Sequence, residues 1–134
     1  MQRRVTEFLD RLVGWAAGRD DVVAVVLVGS HARGAATETS DVDLVLVTTH
    51  PDRYLRDTEW VRTFGKVVEH RIEHYGALDS LRVHYADLLE VEYGVTDERW
   101  AVELDPGTRA VLAAGFRVLY ERRAQTLTLP NPGN

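Results

Sequence analysis

The chain has 134 residues, of which 45% are hydrophobic and 28% are charged, a composition typical of globular proteins and unlike that of disordered or fibrous chains. It contains no cysteine, which excludes disulfides, thiol nucleophiles and Cys-ligated metal centres. Its 21 acidic and 16 basic residues give a net charge of −5, which disfavours nucleic acid and anionic membranes as partners.

The first third of the chain predicts a helix followed by a buried strand. Apolar residues at helical spacing predict an amphipathic helix over about residues 2–17, ended by Gly18. The uninterrupted β-branched and aliphatic run 22–28 predicts a central strand covered on both faces. At seven residues it is also the longest apolar run, far below the roughly 20 that a membrane span needs. We therefore expect a cytoplasmic protein of one domain.

The next segment predicts a short helix and a second strand. Ser30 is expected to cap a helix that continues to about Gly34. A strand is predicted over 42–47, in a unit that Pro51 ends. A short helix over 57–64 is expected to stop at the following glycine.

The remainder predicts further strands and one more helix. We expect a strand over about 66–72 and then a hairpin of strands 81–85 and 88–95. A helix from Pro106 to Gly115 precedes a last strand at 116–120. The predicted fold class is α/β (α+β), a single mixed sheet of five or six strands with helices packed on it. The domain is expected to span residues 1–123, and 124–134 to form a flexible C-terminal tail.

Two motifs in close succession carry the chemistry. Gly29-Ser30 follows the first buried strand, where a glycine lets a phosphate approach the backbone and a hydroxyl can bind it. Asp41 and Asp43 occupy alternate positions of the second strand and so project from one face. Two such like charges repel unless cations lie between them, and Mg²⁺ is the obvious cation because it prefers oxygen ligands. The motifs together predict a site for a nucleoside triphosphate and divalent metal.

A third carboxylate from a neighbouring strand would complete the set. Glu90 and Glu92 share one face of the strand predicted over 88–95, and the spacing alone leaves both open. Arg33 is a candidate nucleotide ligand, or a residue that pins the Gly-Ser helix to a nearby carboxylate. Ser40 is a candidate nucleotide ligand, or only a turn residue before the aspartates.

The spacing of these motifs resembles that of the DNA polymerase β-like nucleotidyltransferases. Four further segments resemble parts of the catalytic domain of streptomycin-type aminoglycoside 6-adenylyltransferases. They are Asp57-x-x-Trp60-x-x-x-Phe64-Gly65, Tyr85-x-Asp87, Val91-Glu92-Tyr93 and 114–120. The resemblance covers about residues 25–120. It implies a minimal polymerase β-like nucleotidyltransferase fold.

The resemblance also implies roles for the residues. Asp41, Asp43 and Glu92 would be the catalytic metal ligands, holding two Mg²⁺ ions, with Mn²⁺ as an alternative. Glu92 would also serve as the base toward the acceptor hydroxyl. Gly29 and Ser30 would hold the β and γ phosphates. The implied reaction is attack on the α-phosphorus of a nucleoside triphosphate, most simply ATP, with release of pyrophosphate.

Three functions follow as hypotheses. The first is transfer of AMP to a hydroxyl of a small-molecule acceptor of the aminoglycoside kind. The second is a minimal nucleotidyltransferase antitoxin that modifies or sequesters a partner toxin, and the third is a non-catalytic nucleotide-binding module. In the family that the chain resembles, a C-terminal helical domain forms much of the acceptor site. We therefore expect a homodimer or a partner protein to complete that site here.

Overall fold

A computed structural model describes residues 2–75, 78–102 and 106–122, which form one mixed sheet with helices on both faces. The helices are α1 (Arg3–Ala17), α2 (Gly29–Arg33), α3 (Pro51–Arg56), a 3₁₀ helix (Glu59–Phe64), α4 (Arg99–Val102) and α5 (Pro106–Ala113). The strands are β1 (Val22–Val28), β2 (Val42–Thr48), β3 (Val67–Tyr75), β4 (Leu78–Tyr85), β5 (Glu90–Thr96) and β6 (Arg117–Glu121). These elements confirm the predicted α+β class with six strands.

The sheet has the strand order β3-β4-β5-β2-β1-β6. Only β2 and β5 pair in parallel, and the other four neighbouring pairs are antiparallel. β1 lies between β2 and β6 and every one of its residues is buried. Since both of its faces are covered, it has no polar alternation, as its sequence predicts.

The first face of the sheet, which carries Leu44 and Tyr93, holds the main core. The apolar stripe of α1 packs on it with Phe8, Leu12 and Ala16 essentially inaccessible to water. Aromatic rings from α3 and the 3₁₀ helix fill the rest of this layer, where they meet edge to face. This core fixes the sheet without using any of the predicted site residues.

The second face, which carries Asp43 and Val45, is divided into two halves. The half on β1 and β2 is apolar and is covered by Leu112 of α5 together with Trp100 and Phe116. The half on β3, β4 and β5 carries charged side chains instead. The predicted site lies where the two halves meet.

Several local predictions were wrong, and each has a physical reason. Ser30 does not cap α2, because the helix begins one residue earlier and Val28 occupies the cap position. Pro51 follows the end of β2, as expected, but it also begins α3, a helix that was not predicted, where its missing N–H costs nothing. The segment predicted as a helix over 57–64 is a tighter 3₁₀ helix, and β3 runs three residues further than expected, to Tyr75. The predicted tail, 124–134, lies outside the described residues.

Within the described residues, no helix combines the length and the apolar composition of a membrane span.

Candidate functional site

Gly29 forms the corner at which β1 turns into α2. Its φ of +73° lies in the left-handed region, which favours glycine. A Cβ at this position would overlap the carboxylate of Asp43 and lie 3.2 Å from that side chain's Cβ and Cγ. The glycine is therefore required both by the turn and by the close approach of the aspartate.

Ser30 is the second residue of α2 and is half-buried. No hydrogen bond of its hydroxyl is found among the described residues. Ser30 directly follows Gly29, the corner that Asp43 approaches. A ligand bound at this corner would meet both.

The carboxylates of β2 and β5 are brought together by the strand register. Asp43 of β2 is opposite Glu92 of β5 on one side and opposite Val28 of β1 on the other. Residues that face one another across neighbouring strands project from the same face of a sheet. Asp41 is two residues before Asp43, so it projects from this face too.

The electrostatics of Asp43 show an excess of negative charge. Its pKa is raised to about 6, first by burial and then by the neighbouring Glu92 and Asp41, whose combined effect exceeds the lowering by Arg82 and Arg33. The pKa of Glu92 is also raised, first by burial, although Arg82 opposes that shift. The carboxylates therefore attract a further cation.

Arg82 lies at the centre of the cluster, and it is not among the site residues predicted from the sequence. Its guanidinium donates to Glu73 Oε1 at 2.5 Å, to Asp41 Oδ2 at 2.9 Å, to Glu90 Oε1 at 2.7 Å and to Glu92 Oε2 at 2.6 Å. Its side chain is only 14% exposed. One arginine thus links carboxylates from β3, from the start of β2 and from β5.

A sequence signal for the β4–β5 part of this arrangement did exist. Arg82 and His84 alternate with buried apolar residues in β4, so they had to face the polar side of a half-buried strand. The hairpin register pairs Arg82 with Glu92 and His84 with Glu90. Opposite charges at such cross-strand positions are a recognisable pairing signal.

The two candidate third carboxylates differ in their position relative to Asp43. Glu92 is the direct cross-strand neighbour of Asp43. Glu90 precedes Val91, the partner of Val42, so it lies further toward the end of the sheet at which β2 and β5 begin. Both contact Arg82, and the charge of Glu92 raises the pKa of Asp43.

The other two predicted nucleotide ligands lie at the periphery of the cluster. Arg33 is exposed at the end of α2, and the part of the chain described here shows no ion pair for it. Its charge nevertheless lowers the pKa of Asp43. The Ser40 hydroxyl accepts a hydrogen bond from the Thr37 N–H at 2.8 Å. Ser40 therefore organises the loop that leads into Asp41.

The donor set fits a hard divalent cation, although Arg82 occupies part of it. Within residues 2–75, 78–102 and 106–122, no three His, Asp or Glu side chains are grouped closely enough to hold a metal ion. Two of the predicted ligands, Asp41 and Glu92, are instead joined through Arg82. The ligands are carboxylate oxygens with an unbalanced negative charge, which is the chemistry that Mg²⁺ selects.

A separate cleft of about 660 Å³ lies at the other end of β2, lined by residues that include His50, Arg53, Arg56 and Arg99. The carboxylates are at the start of β2, and Thr49 of the cleft follows its end. Seven strand residues span about 20 Å. The cleft is therefore not part of the carboxylate site.

Comparison with known proteins identifies the fold. A family model described as a nucleotidyltransferase domain matches residues 3–104, more than half of the chain. No curated protein sequence matches the chain.

Solved structures share the architecture at low sequence identity. The aminoglycoside 6-adenyltransferase of Bacillus subtilis superposes with a TM-score of 0.59 at 16% identity, covering 76% of this chain and 38% of that one. The Cid1 poly(U) polymerase gives 0.55 at 15% identity, covering 84% and 32%. A cytoplasmic RNA terminal U-transferase gives 0.56 at 15% identity, covering 84% and 34%. The chain thus spans about a third of the length of these neighbours.

Proposed function

Because the chain belongs to the nucleotidyltransferase domain family, we propose that it transfers a nucleoside monophosphate, AMP from ATP, to a hydroxyl of a small-molecule acceptor. The observation that carries the proposal is the register of β2 and β5, which sets Asp43 beside Glu92 and over the Gly29 corner. The aminoglycoside-modifying neighbour supports a small-molecule acceptor. The net charge of −5 and the carboxylates near Asp43 support an acceptor that carries positive charge.

Every predicted site residue except Ser40 has a chemical role in this proposal. Asp41, Asp43 and Glu92 would hold Mg²⁺, or Mn²⁺, which when bound neutralises charge on the phosphates and stabilises the attacking and leaving oxygens. The Gly29 corner and the Ser30 hydroxyl bind the β and γ phosphates. Arg33 at the end of α2 adds positive charge near them.

The chemical step replaces a phosphoanhydride bond of the nucleoside triphosphate with a phosphoester bond to the acceptor. The acceptor oxygen forms a bond to the α-phosphorus, and the bond from that phosphorus to the bridging oxygen of pyrophosphate breaks. Pyrophosphate leaves with the electron pair, and the acceptor hydroxyl proton passes to Glu92. Burial raises the pKa of Glu92, which makes it a better proton acceptor than an ordinary surface carboxylate.

The decisive experiment compares two glutamates of one strand. Glu92→Gln should lower the rate of Mg²⁺-dependent pyrophosphate release at least about hundredfold, because it loses a metal ligand and the base. Glu90→Gln is the matched control, since Glu90 lies on the same face and also contacts Arg82. It should keep most of the activity. Equal losses in the two variants would contradict the assignment of Glu92.

The acceptor is identified by following the label of [α-³²P]ATP. A panel of aminoglycosides and other cationic polyols is incubated with the protein, Mg²⁺ and labelled ATP. Label on a small molecule supports the proposal, whereas label on a co-encoded protein supports the antitoxin hypothesis. Label on RNA would contradict the expectation that nucleic acid is not a partner. Binding of ATP without any transfer would support the hypothesis of a non-catalytic nucleotide-binding module.

A further inference from the structure

The surroundings of Arg82 are unusual for a cation on a sheet. It is bound by four carboxylates, Glu73, Asp41, Glu90 and Glu92, at donor–acceptor distances of 2.5–2.9 Å. Their side chains are 17–34% exposed, so the cluster is partly shielded from water. Four carboxylates around one guanidinium leave an excess of negative charge that a second cation would relieve.

The contacts of Arg82 divide into two sets. Asp41 and Glu92 are carboxylates that the proposed function assigns to the divalent ion. Glu73 and Glu90 have no such role. A guanidinium and a metal ion cannot share the same lone pairs, so both cations compete for Asp41 and Glu92. Glu73 and Glu90 can bind the arginine whether Asp41 and Glu92 bind Arg82 or the metal ion.

We propose that Arg82 is the built-in counter-cation of this site: it holds Asp41 and Glu92 together until a divalent ion binds, then yields both while Glu73 and Glu90 retain it. The inference rests on the proposed function, because that function supplies the divalent ion. Arginine suits the role because it stays protonated at every physiological pH and offers five donors. In the absence of the ion, it limits the repulsion within the carboxylate cluster.

The proposal predicts that Arg82 weakens the binding of divalent ions. Arg82→Gln removes the competing charge, and the affinity of the nucleotide-free protein for Mn²⁺ should rise about tenfold. Arg82→Lys keeps the charge and should restore the affinity toward that of the wild type. Arg71→Gln is the matched control, since Arg71 lies opposite Arg82 on β3 but, among the described residues, forms an ion pair only with Glu73, at 3.5 Å. It should leave the affinity unchanged. The free Mn²⁺ signal in electron paramagnetic resonance gives the affinity.

Thermal unfolding supplies a second measurement, which tests the proposal even if Arg82→Gln is only weakly stable. Without metal, Arg82→Gln should unfold at a lower temperature than the wild type, because its carboxylates repel each other. Saturating Mn²⁺ should narrow that difference, since the ion replaces the missing charge. A purely structural arginine would give the same difference with and without Mn²⁺, and that result would overturn the proposal.

The outcomes separate this proposal from the proposed function. Equal or weaker Mn²⁺ binding by Arg82→Gln, including no binding by either protein, overturns the counter-cation role even if the wild type transfers AMP. Tighter Mn²⁺ binding by the variant supports the role even if no acceptor is ever labelled. In that second case only the proposed function fails.

Discussion

The two halves of the second sheet face obey opposite physical rules, although they are continuous. On β1 and β2 the face is apolar, with Val26, Val45 and Val47 covered by α5. On β3, β4 and β5 it carries a network of charges around Arg82, whose members keep some contact with water. The first half contributes stability by burying apolar area. The second half lacks that contribution but carries carboxylates that can bind a cation. Asp43 lies at the boundary between the two halves.

The largest expected effect tests this division through stability. Leu112→Ala removes a side chain that is fully buried over the apolar half, and we expect a loss of about 3 kcal/mol because a cavity remains. Glu90→Ala is the counterpart on the charged half of the same face. It should change the free energy of unfolding by less than about 1 kcal/mol, because Arg82 keeps three other carboxylates. Urea unfolding measures both, and equal losses would show that the charged half is structural.

The same division explains what could be predicted from the sequence. Continuous apolar runs predict β1, and the alternation 81–85 predicts β4, since each pattern needs only local information. The network around Arg82 depends on the order β3-β4-β5-β2, which brings Glu73 and Asp41 together across four strands. No local pattern contains that order. The parallel pairing of β2 with β5, which aligns Asp43 with Glu92, could likewise not be predicted from the spacing of residues in the sequence.

The second prediction concerns Asp43, at the boundary between the two halves, and uses two glycines with nearly the same φ. Gly29 and Gly34 begin and follow α2 with φ of +73° and +72°, so alanine meets a penalty for positive φ at either position, about 1 kcal/mol. Only at Gly29 would the new Cβ collide with Asp43, whereas nothing lies within 4 Å of a Cβ at Gly34. Gly29→Ala should therefore be about 2 kcal/mol less stable than Gly34→Ala and should lose Mn²⁺ binding.

Gly34→Ala is the internal control, because it should retain the metal affinity and any transfer activity of the wild type. Urea unfolding and Mn²⁺ titration of both variants give the comparison. If the two alanine variants behave alike, the close approach of Asp43 to the corner does not position the carboxylate.

The smallest expected effect concerns the charge of Asp43 in the metal-free protein. Because its pKa in the folded state is about 6 and that of an unfolded aspartate is about 3.9, the native state binds more protons between these values. The contribution of Asp43 to stability therefore falls as the pH rises from about 4 to about 6 and stays unfavourable above that. Asp43→Asn removes this penalty. With solvent screening allowed for, it should be about 1 kcal/mol more stable than the wild type at pH 7.5 and nearly equal to it at pH 4.

The measurement is urea unfolding at both pH values in the presence of a chelator. Asp52→Asn is the control for the loss of one negative charge, since Asp52 is exposed on α3 beyond the far end of β2; it should change stability by less than about 0.5 kcal/mol at either pH. A gain for Asp43→Asn that is the same at pH 4 as at pH 7.5 would come from packing, because a protonated aspartate carries no charge to relieve. A gain confined to pH 7.5 shows that Asp43 is destabilised by charge, as a carboxylate at the edge of an apolar half should be.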